Sequence, residues 1–409
     1  MKSTIVISGG FAGMIAAFVA SEKDKVKLLT YGAGTFSLQS GVIDVLGYDA
    51  AHRPIDSPAA GIKNLPAHHP YKKIGAPALE KACEFFLNLM TKNGLPYHGS
   101  TARQILIPTA VGTLKPTCLA PKFSDAAVLK SAKKIVVVGV RGLKDFYPAL
   151  VAGNLKKYFP NAQFEVAEID FEFGAGRDLI TLDVARALDS DDGRNIFVER
   201  LKKFCGDKTA FVLPSILGTE NDTCAEKIRG QLNCDLVETT CLPPSINGWR
   251  LQKILMQELR NRGVSIIENL KIIRAETQIK LCKAVFGQVA AREKTFTADK
   301  FISATGGFYS GGLVMREFDN PRELIFNLPA KFPAGAENWY NPQLFDDKPQ
   351  GFATTGILTD DNLNPIDAQG KKILNNVYVV GRNLYGYDFC YEHSGNGVAL
   401  GSAFKAATL

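Results

Sequence analysis

The stretch from Thr4 to Ala20 constrains the fold of this chain more than any other. Thr4 to Ser8 is a run of strand-forming residues, it breaks into Gly9-Gly10-Phe11-Ala12-Gly13, and Met14 to Ala20 then reads as a helix. A second strand is predicted at Val26 to Thr30, which completes the opening of a nucleotide-binding βαβ unit. In such a unit Gly10 lets a phosphate approach the backbone and Gly13 lets the helix pack close to the strand. The helix N-terminus adds free N–H groups and the positive end of a dipole. Two positions depart from the motif. Ser8 stands where G-x-G-x-x-G has its first glycine, and the second strand ends in Thr30-Tyr31 where a dinucleotide binder places Asp or Glu on the ribose 2′-OH. The phosphate cradle is present and the adenosine-ribose clamp absent, which points to a mononucleotide such as FMN rather than FAD or NAD. A plain strand–turn–helix is the competing reading of a lone glycine turn.

With 409 residues, 46% hydrophobic and 22% charged, the chain is long enough for two packed units. The net charge of +7 is spread in small clusters such as Lys23-Asp24-Lys25 and Lys371-Lys372, so it favours an anionic ligand or partner and argues against nucleic-acid binding. The eight cysteines (83, 118, 205, 224, 234, 241, 282 and 390) form no C-x-x-C pair and no zinc or iron–sulfur spacing, as expected of reduced thiols in a cytosolic protein. No run approaches 18 apolar residues and the N-terminus enters the first strand without a cationic leader, so no direct membrane span is expected. Of the five histidines only His393 lies in a glycine-rich context. His68-His69 sit in a Pro-bounded loop, where a surface or structural role is the default.

Further along, Gly32 to Gly41 is a small and polar loop containing Gln39-Ser40-Gly41, suited to lie over a cofactor, and Val42 to Leu46 is a short amphipathic stretch. A polar connector, Asp49 to Pro70, leads to apolar residues at helical spacing from Pro77 to Asn93. Lys134 to Val140 repeats the strand–turn–helix rhythm, with a helix predicted from Tyr147 to Phe159, but without the glycine set of a second nucleotide site. Strands at Phe164 to Ile169 and Thr209 to Leu213 and a helix from Asn247 to Arg262 make the middle of the chain an inserted α/β domain. Lys300 to Ala304 is then a strand ending in Thr305-Gly306-Gly307, like the turn that closes the cofactor domain of two-dinucleotide-binding-domain flavoproteins. Asn376 to Val380 is another, ending in Gly381-Arg382, and Ser394-Gly395-Asn396-Gly397 opens a small-residue helix, Val398 to Ala407. Flavoproteins of that class usually carry Gly-Asp at the second turn, with the Asp on the ribityl chain. Arg382 removes that acceptor and supplies a guanidinium suited to phosphate.

These residues, taken in order, resemble one family over nearly the whole chain. Ile7-Ser8-Gly9-Gly10-Phe11-Ala12-Gly13, Ser40 to Leu46, His69-Pro70-Tyr71, Gly112 to Lys115, Lys133 to Gly139, Leu242-Pro243-Pro244-Ser245, Arg250-Leu251-Gln252 and Gly306 to Val314 match the B subunit of anaerobic glycerol-3-phosphate dehydrogenase. The resemblance implies a Rossmann-type, two-dinucleotide-binding-domain flavoprotein-like α/β fold. A discontinuous flavin-binding domain (1–65 and 297–409) would be interrupted by an inserted α/β domain at 66–296. It implies an FMN-containing subunit, with FAD as the alternative, partnered by an FAD-bearing A subunit and an iron–sulfur C subunit that docks the complex to the inner face of the cell membrane. The family oxidises sn-glycerol 3-phosphate to dihydroxyacetone phosphate and passes electrons to quinone.

The cofactor-binding set expected on this basis is Gly9, Gly10, Gly13, Thr30, Ser40, Gly41, Gly306, Gly381, Arg382, Gly395, Asn396 and Gly397. His393 is the one histidine placed by sequence to serve as a base, against a structural or flavin-tuning role, and Arg316, Arg382 and, less directly, Arg141 are phosphate ligands to consider. The preferred reading is that the A subunit performs the substrate chemistry while this chain relays electrons. Two rivals remain: an independent fumarate-reductase-like flavin dehydrogenase, which predicts turnover by the isolated chain, and a non-enzymatic assembly subunit with a decayed flavin site.

Overall fold

In the computed structural model the described residues are 1–171, 178–289, 292–316, 320–343 and 348–409. Strand β1 (Ser3–Ile7) is followed by helix α1 (Phe11–Ala20) and strand β2 (Lys25–Leu29). The helix begins three residues earlier than the sequence predicts because Gly10, in extended conformation, serves as its N-cap directly after the turn. Then come α2 (Ala76–Lys92), β3 (Lys134–Val140), β4 (Gln163–Ile169), β5 (Thr209–Leu213), β6 (Asp235–Glu238) and α3 (Ile246–Asn261). The chain ends with β7 (Ser265–Ile267), β8 (Lys300–Ser303), β9 (Val377–Val379) and α4 (Gly395–Thr408).

Two compact units emerge. One comprises residues 1–35, 44–85 and 255–409, the other residues 36–43 and 86–254. These limits differ from the 65/66 and 296/297 boundaries drawn from sequence, and hydrogen bonding gives the reason. β7 pairs with β2, and the Thr30 N–H donates to the Ile267 carbonyl, so the chain has rejoined the first unit well before residue 297. The antiparallel strands Lys271–Gln278, Leu281–Val289 and Arg292–Phe296 follow in the same unit, held by Ala275 N–H on Ile325 O and Cys282 N–H on Asn376 Oδ1.

The first unit is built on a five-stranded sheet in the order β7-β2-β1-β8-β9, every neighbour parallel. A parallel sheet is covered on both faces, so its strands are apolar throughout rather than alternating. Ile5, Val6, Leu28, Phe301, Ile302, Val377 and Val379 accordingly lie in the interior. α1 and α4 pack together, and their small residues, Ala16, Ala17 and Ala20 on one and Ala399 and Ala403 on the other, permit the close approach. This is the Rossmann-type cofactor domain expected from the sequence.

The second unit holds a four-stranded parallel sheet in the order β6-β5-β3-β4. In chain order that is 2-1-3-4, a doubly wound arrangement. Its core gathers Val136, Val137 and Val138 of β3, Phe211 and Val212 of β5, and Phe197 and Leu201 of the helix Asp191–Lys202. Beyond β5 lies a buried polar network. Glu238 takes the Ile216 and Leu217 N–H groups on one oxygen, at 2.8 and 2.6 Å, and the Arg250 guanidinium on both. Arg250 also reaches Gly218 O and Asn247 Oδ1, and Asn247 Nδ2 lies 3.4 Å from Ser215 Oγ. Val42 and Ile43, part of the stretch read as amphipathic, are buried in this unit, and Ile43 is bridged to Leu119.

Candidate functional site

The glycine turn after β1 is shaped by contacts a side chain would block. A Cβ on Gly13 would fall 2.5 Å from Ser8 Cβ, the close helix–strand packing expected of this glycine. Ser8, the departure from the motif, fills its place productively: its Oγ accepts the Gly10 N–H at 2.9 Å. Gly9 is required by the loop after β2, since its Cβ would meet Gly32 O at 1.9 Å and Thr30 Oγ1 at 2.2 Å. Gly34, at φ +68°, presses on the same turn, with 2.5 Å from its would-be Cβ to Gly10 Cα. Gly10 is different, because a Cβ there meets nothing nearer than 3.4 Å. Thr30 Oγ1 donates to Gly32 O at 2.6 Å, so the hydroxyl is spent within its own loop.

At the other end of the unit the turn after β9 comes to the same place. A Cβ on Gly381, at φ +67°, would lie 3.1 Å from Ala12 Cβ, and the Gly381 N–H donates to Ser402 Oγ of α4 at 2.9 Å. Asn383, wholly buried, donates to Ser303 Oγ and Thr305 Oγ1 and so ties this turn to the one after β8. Gly307 lies against the Arg382 carbonyl, and Gly306, at φ +81°, makes way for the Ser310 hydroxyl. The Arg382 guanidinium rests on the Phe389 ring, 3.9 Å from its centre.

The start of α4 is packed from below. The Gly397 N–H donates to Asp44 O at 2.8 Å, and a Cβ on Gly397 would strike Tyr71 Oη, Val45 Cα and Asp44 O at 2.4 to 2.8 Å. Gly397 is thus a packing glycine, and Gly395 likewise faces Phe389 at 3.2 Å. Asn396, between them, is half-buried. A histidine for which sequence suggests only a surface or structural role supports this segment. His69, 1% exposed, accepts the Tyr71 N–H on Nδ1, which leaves Nε2 as the protonated nitrogen 3.1 Å from Glu392 Oε2. The Ser394 hydroxyl donates to the same carboxylate oxygen at 3.0 Å. His393, the base expected from sequence, adopts φ +49° and sets its ring edge-on to Tyr48, 4.7 Å between centres. The only advance sign of His69 is its place in the His69-Pro70-Tyr71 match.

Two expected residues fall in the second unit. Gly41, at φ +78°, lies against Asn247 and accepts the Tyr97 hydroxyl at 2.5 Å, and Ser40 precedes it. Of the other cations considered, Arg316 is exposed and Arg141 pairs with Asp170 on the surface.

A family model described as FAD binding domain matches residues 3–398. The chain belongs to this FAD-binding family. Several curated proteins with which it shares nearly full length have one description, the B subunit of anaerobic glycerol-3-phosphate dehydrogenase. Identity is 28% to that of Vibrio vulnificus (strain YJ016), covering 98% of this chain and 94% of the relative. It is 29% to that of Vibrio cholerae serotype O1, again 98% and 94%, and 25% to that of Pectobacterium atrosepticum, 98% and 97%. The resemblance drawn from sequence motifs is borne out.

The FAD-binding family implies a flavin, and the first unit fits one. α1 starts at Gly10 with no side chain capping it and no acid in its first turn, so its positive end is left for an anion. Around the turns after β8 and β9, three buried polar atoms, Asn383 Oδ1, Thr355 Oγ1 and Tyr387 Oη, have no hydrogen-bond partner among the described residues. Buried atoms of this kind are normally satisfied, and a polar ligand would satisfy them.

Proposed function

We propose that this chain is the flavin-carrying B subunit of an anaerobic sn-glycerol-3-phosphate dehydrogenase, with FMN as its cofactor. The phosphate would rest at the start of α1 beside Gly10, and the turns at Gly306 and Gly381 would flank the rest of the molecule. When bound, the flavin supplies the capacity to take up and pass on electrons. The chain's own residues hold and orient it. Ser8 fixes the glycine turn through Gly10, Asn383 couples the two later turns, and the His69–Glu392–Ser394 network holds the start of α4. In this reading an FAD-bearing A subunit oxidises glycerol 3-phosphate to dihydroxyacetone phosphate. This chain relays the electrons to an iron–sulfur C subunit and so to quinone at the inner face of the membrane. No helix among the described residues is long and apolar enough to cross a membrane.

The observation that carries FMN over FAD is the loop after β2. A dinucleotide lays its adenosine ribose against the end of this strand, where an acid receives it. Here Gly32 and Gly34 lean directly on Gly9 and Gly10, and the hydroxyl of Thr30 is committed to Gly32. The test is the absorbance spectrum of the purified chain, followed by heat release and chromatographic identification of the flavin. FMN near one per chain is the expected result. FAD would overturn the mononucleotide reading, and a colourless chain that neither flavin reconstitutes would leave a non-enzymatic assembly subunit.

A further inference from the structure

Lys300 is a buried amine at the opposite end of the sheet from the glycine turns. It opens β8, and it lines an open cleft of about 730 Å3 together with Lys2, Lys23, Asp24, Asp299 and Tyr378, all of the first unit. The sheet is parallel, so this cleft lies at the amino ends of β1, β8 and β9, whereas the turns that would flank a flavin follow their carboxyl ends. We propose that the Lys300 amine is a site of covalent acylation, taking the acyl group of a small acyl phosphate.

A lysine is seldom buried without a counter-charge. Lys300 is 8% exposed and has no carboxylate within ion-pair distance among the described residues. Its Nζ lies 3.4 Å from Ala407 O, near the end of α4, and 4.8 Å from the centre of the Tyr378 ring. Those two contacts fix the side chain without replacing the hydration that a buried ammonium gives up. Burial pushes the amine down to about 8, with Lys2 and Lys23 acting in the same direction and Asp24 against them. The acids of the cleft are engaged by their neighbours: Asp24 accepts the Thr4 hydroxyl at 2.6 Å, and one Asp299 oxygen accepts both the N–H and the hydroxyl of Ser3. Met1 and Leu409 line the cleft as well.

A neutral amine reached through an open cleft is a nucleophile. The Lys300 lone pair attacks the acyl carbon, and the N–C bond of an amide forms as the C–O bond to phosphate breaks. Inorganic phosphate leaves with that electron pair, and the amine releases one proton to solvent. Lys2 and Lys23 supply the preference for a phosphate-bearing reagent, since both are exposed on the cleft and neither has an ion-pair partner among the described residues. The product suits the site. An amide is uncharged, which burial favours, and its remaining N–H can still donate to Ala407 O.

The test is exposure of the purified chain to acetyl phosphate, with acetylation at each lysine followed by peptide mass spectrometry over a pH series. At about pH 8 half of the Lys300 amines are neutral, against roughly one in three hundred for an ordinary lysine. The lower basicity of the amine offsets part of that advantage, so Lys300 should react about tenfold faster than the exposed lysines. Its rate should level off above a midpoint near 8 rather than climb towards 10.5. The double variant Lys2→Gln, Lys23→Gln is compared with the parent at about pH 9.5, where Lys300 is largely neutral in both. Its rate with acetyl phosphate should drop about threefold while the rate with uncharged N-hydroxysuccinimidyl acetate holds. Both substitutions lie at exposed positions, and an unchanged melting temperature will confirm the fold. Lys300 reacting no faster than the exposed lysines, or following their pH profile, overturns the proposal. An equal response of the two reagents to the double variant overturns acyl phosphate as the reagent class. The outcome is expected to be the same in flavin-loaded and flavin-stripped protein, so it stands or falls apart from the function proposed above.

Discussion

Two glycines that look alike in sequence answer to different demands, and substitution separates them. A methyl group on Gly397 would collide with the backbone of Asp44 and Val45 as well as with Tyr71 Oη, none of which can move without disturbing the segment beneath α4. Gly397→Ala should cost about 2–3 kcal/mol of folding free energy, the range of overpacking in a rigid site, measurable by chemical denaturation. Gly10 has room for a methyl and a φ of −90°, so Gly10→Ala should leave stability within about 0.5 kcal/mol of the parent. It should nonetheless lower the flavin retained per chain severalfold, because the methyl sits where a phosphate must touch backbone. Equal flavin retention in Gly10→Ala would remove the α1 start from the cofactor site. The role of Gly13 is legible in the sequence because the atom it makes room for, Ser8 Cβ, lies five residues back. The role of Gly397 is not, because the atoms that exclude a side chain belong to residues 44, 45 and 71. His69 escapes a sequence reading for the same reason: its partner, Glu392, is more than three hundred residues away.

At the scale of elements, continuous apolar strands announce themselves. Lys134–Val140 and Thr209–Leu213 form where expected, since strands covered on both faces carry no polar interruption to blur their ends. The antiparallel strands from Lys271 to Phe296 give no such signal. They are largely exposed and polar, with Glu276, Gln278, Lys283 and Arg292 among them, and only pairing with one another and anchoring to Ile325 and Asn376 makes them strands. Their silence is also why sequence places the end of the inserted unit too late. The buried Arg250–Glu238 pair shows how much one element can depend on a single carboxylate, with side-chain exposures of 3% and 2%. Glu238→Gln leaves the guanidinium buried and uncompensated, and should cost about 3–5 kcal/mol in the unfolding of the second unit, followed by denaturant melting. A loss under about 1 kcal/mol would mean the network is not what holds the loop after β5.

For the whole molecule, pH is the sharpest probe, because each unit buries an acid. Asp222 in the second unit and Glu323 in the first are both pushed up to about 7 by burial, Asp222 against the opposing pull of Arg250 and Glu323 against the N–H of Phe326. Each binds its proton more tightly folded than unfolded. Their contribution is therefore complete below about pH 4, near the unfolded carboxyl values, and drains away as pH rises through about 7. The melting temperature should fall between pH 5 and 7.5, by an amount worth a few kcal/mol, and Asp222→Asn or Glu323→Gln should each flatten part of that slope. A profile of unchanged steepness in both variants would show that neither acid titrates in this window.

The place of Glu238 has one more consequence. Doubly wound sheets receive ligands where the strand order reverses, here beside the carboxyl ends of β3 and β5, and amide groups near that crevice are what an incoming phosphate would seek. In this chain the N–H groups of Ile216 and Leu217 are already claimed by the protein's own carboxylate. The inserted unit has in effect internalised its guest. It retains the architecture of a nucleotide binder with these two amides already taken, and an engineer wishing to install a second cofactor there would first have to evict a tenant on which the surrounding loop now depends.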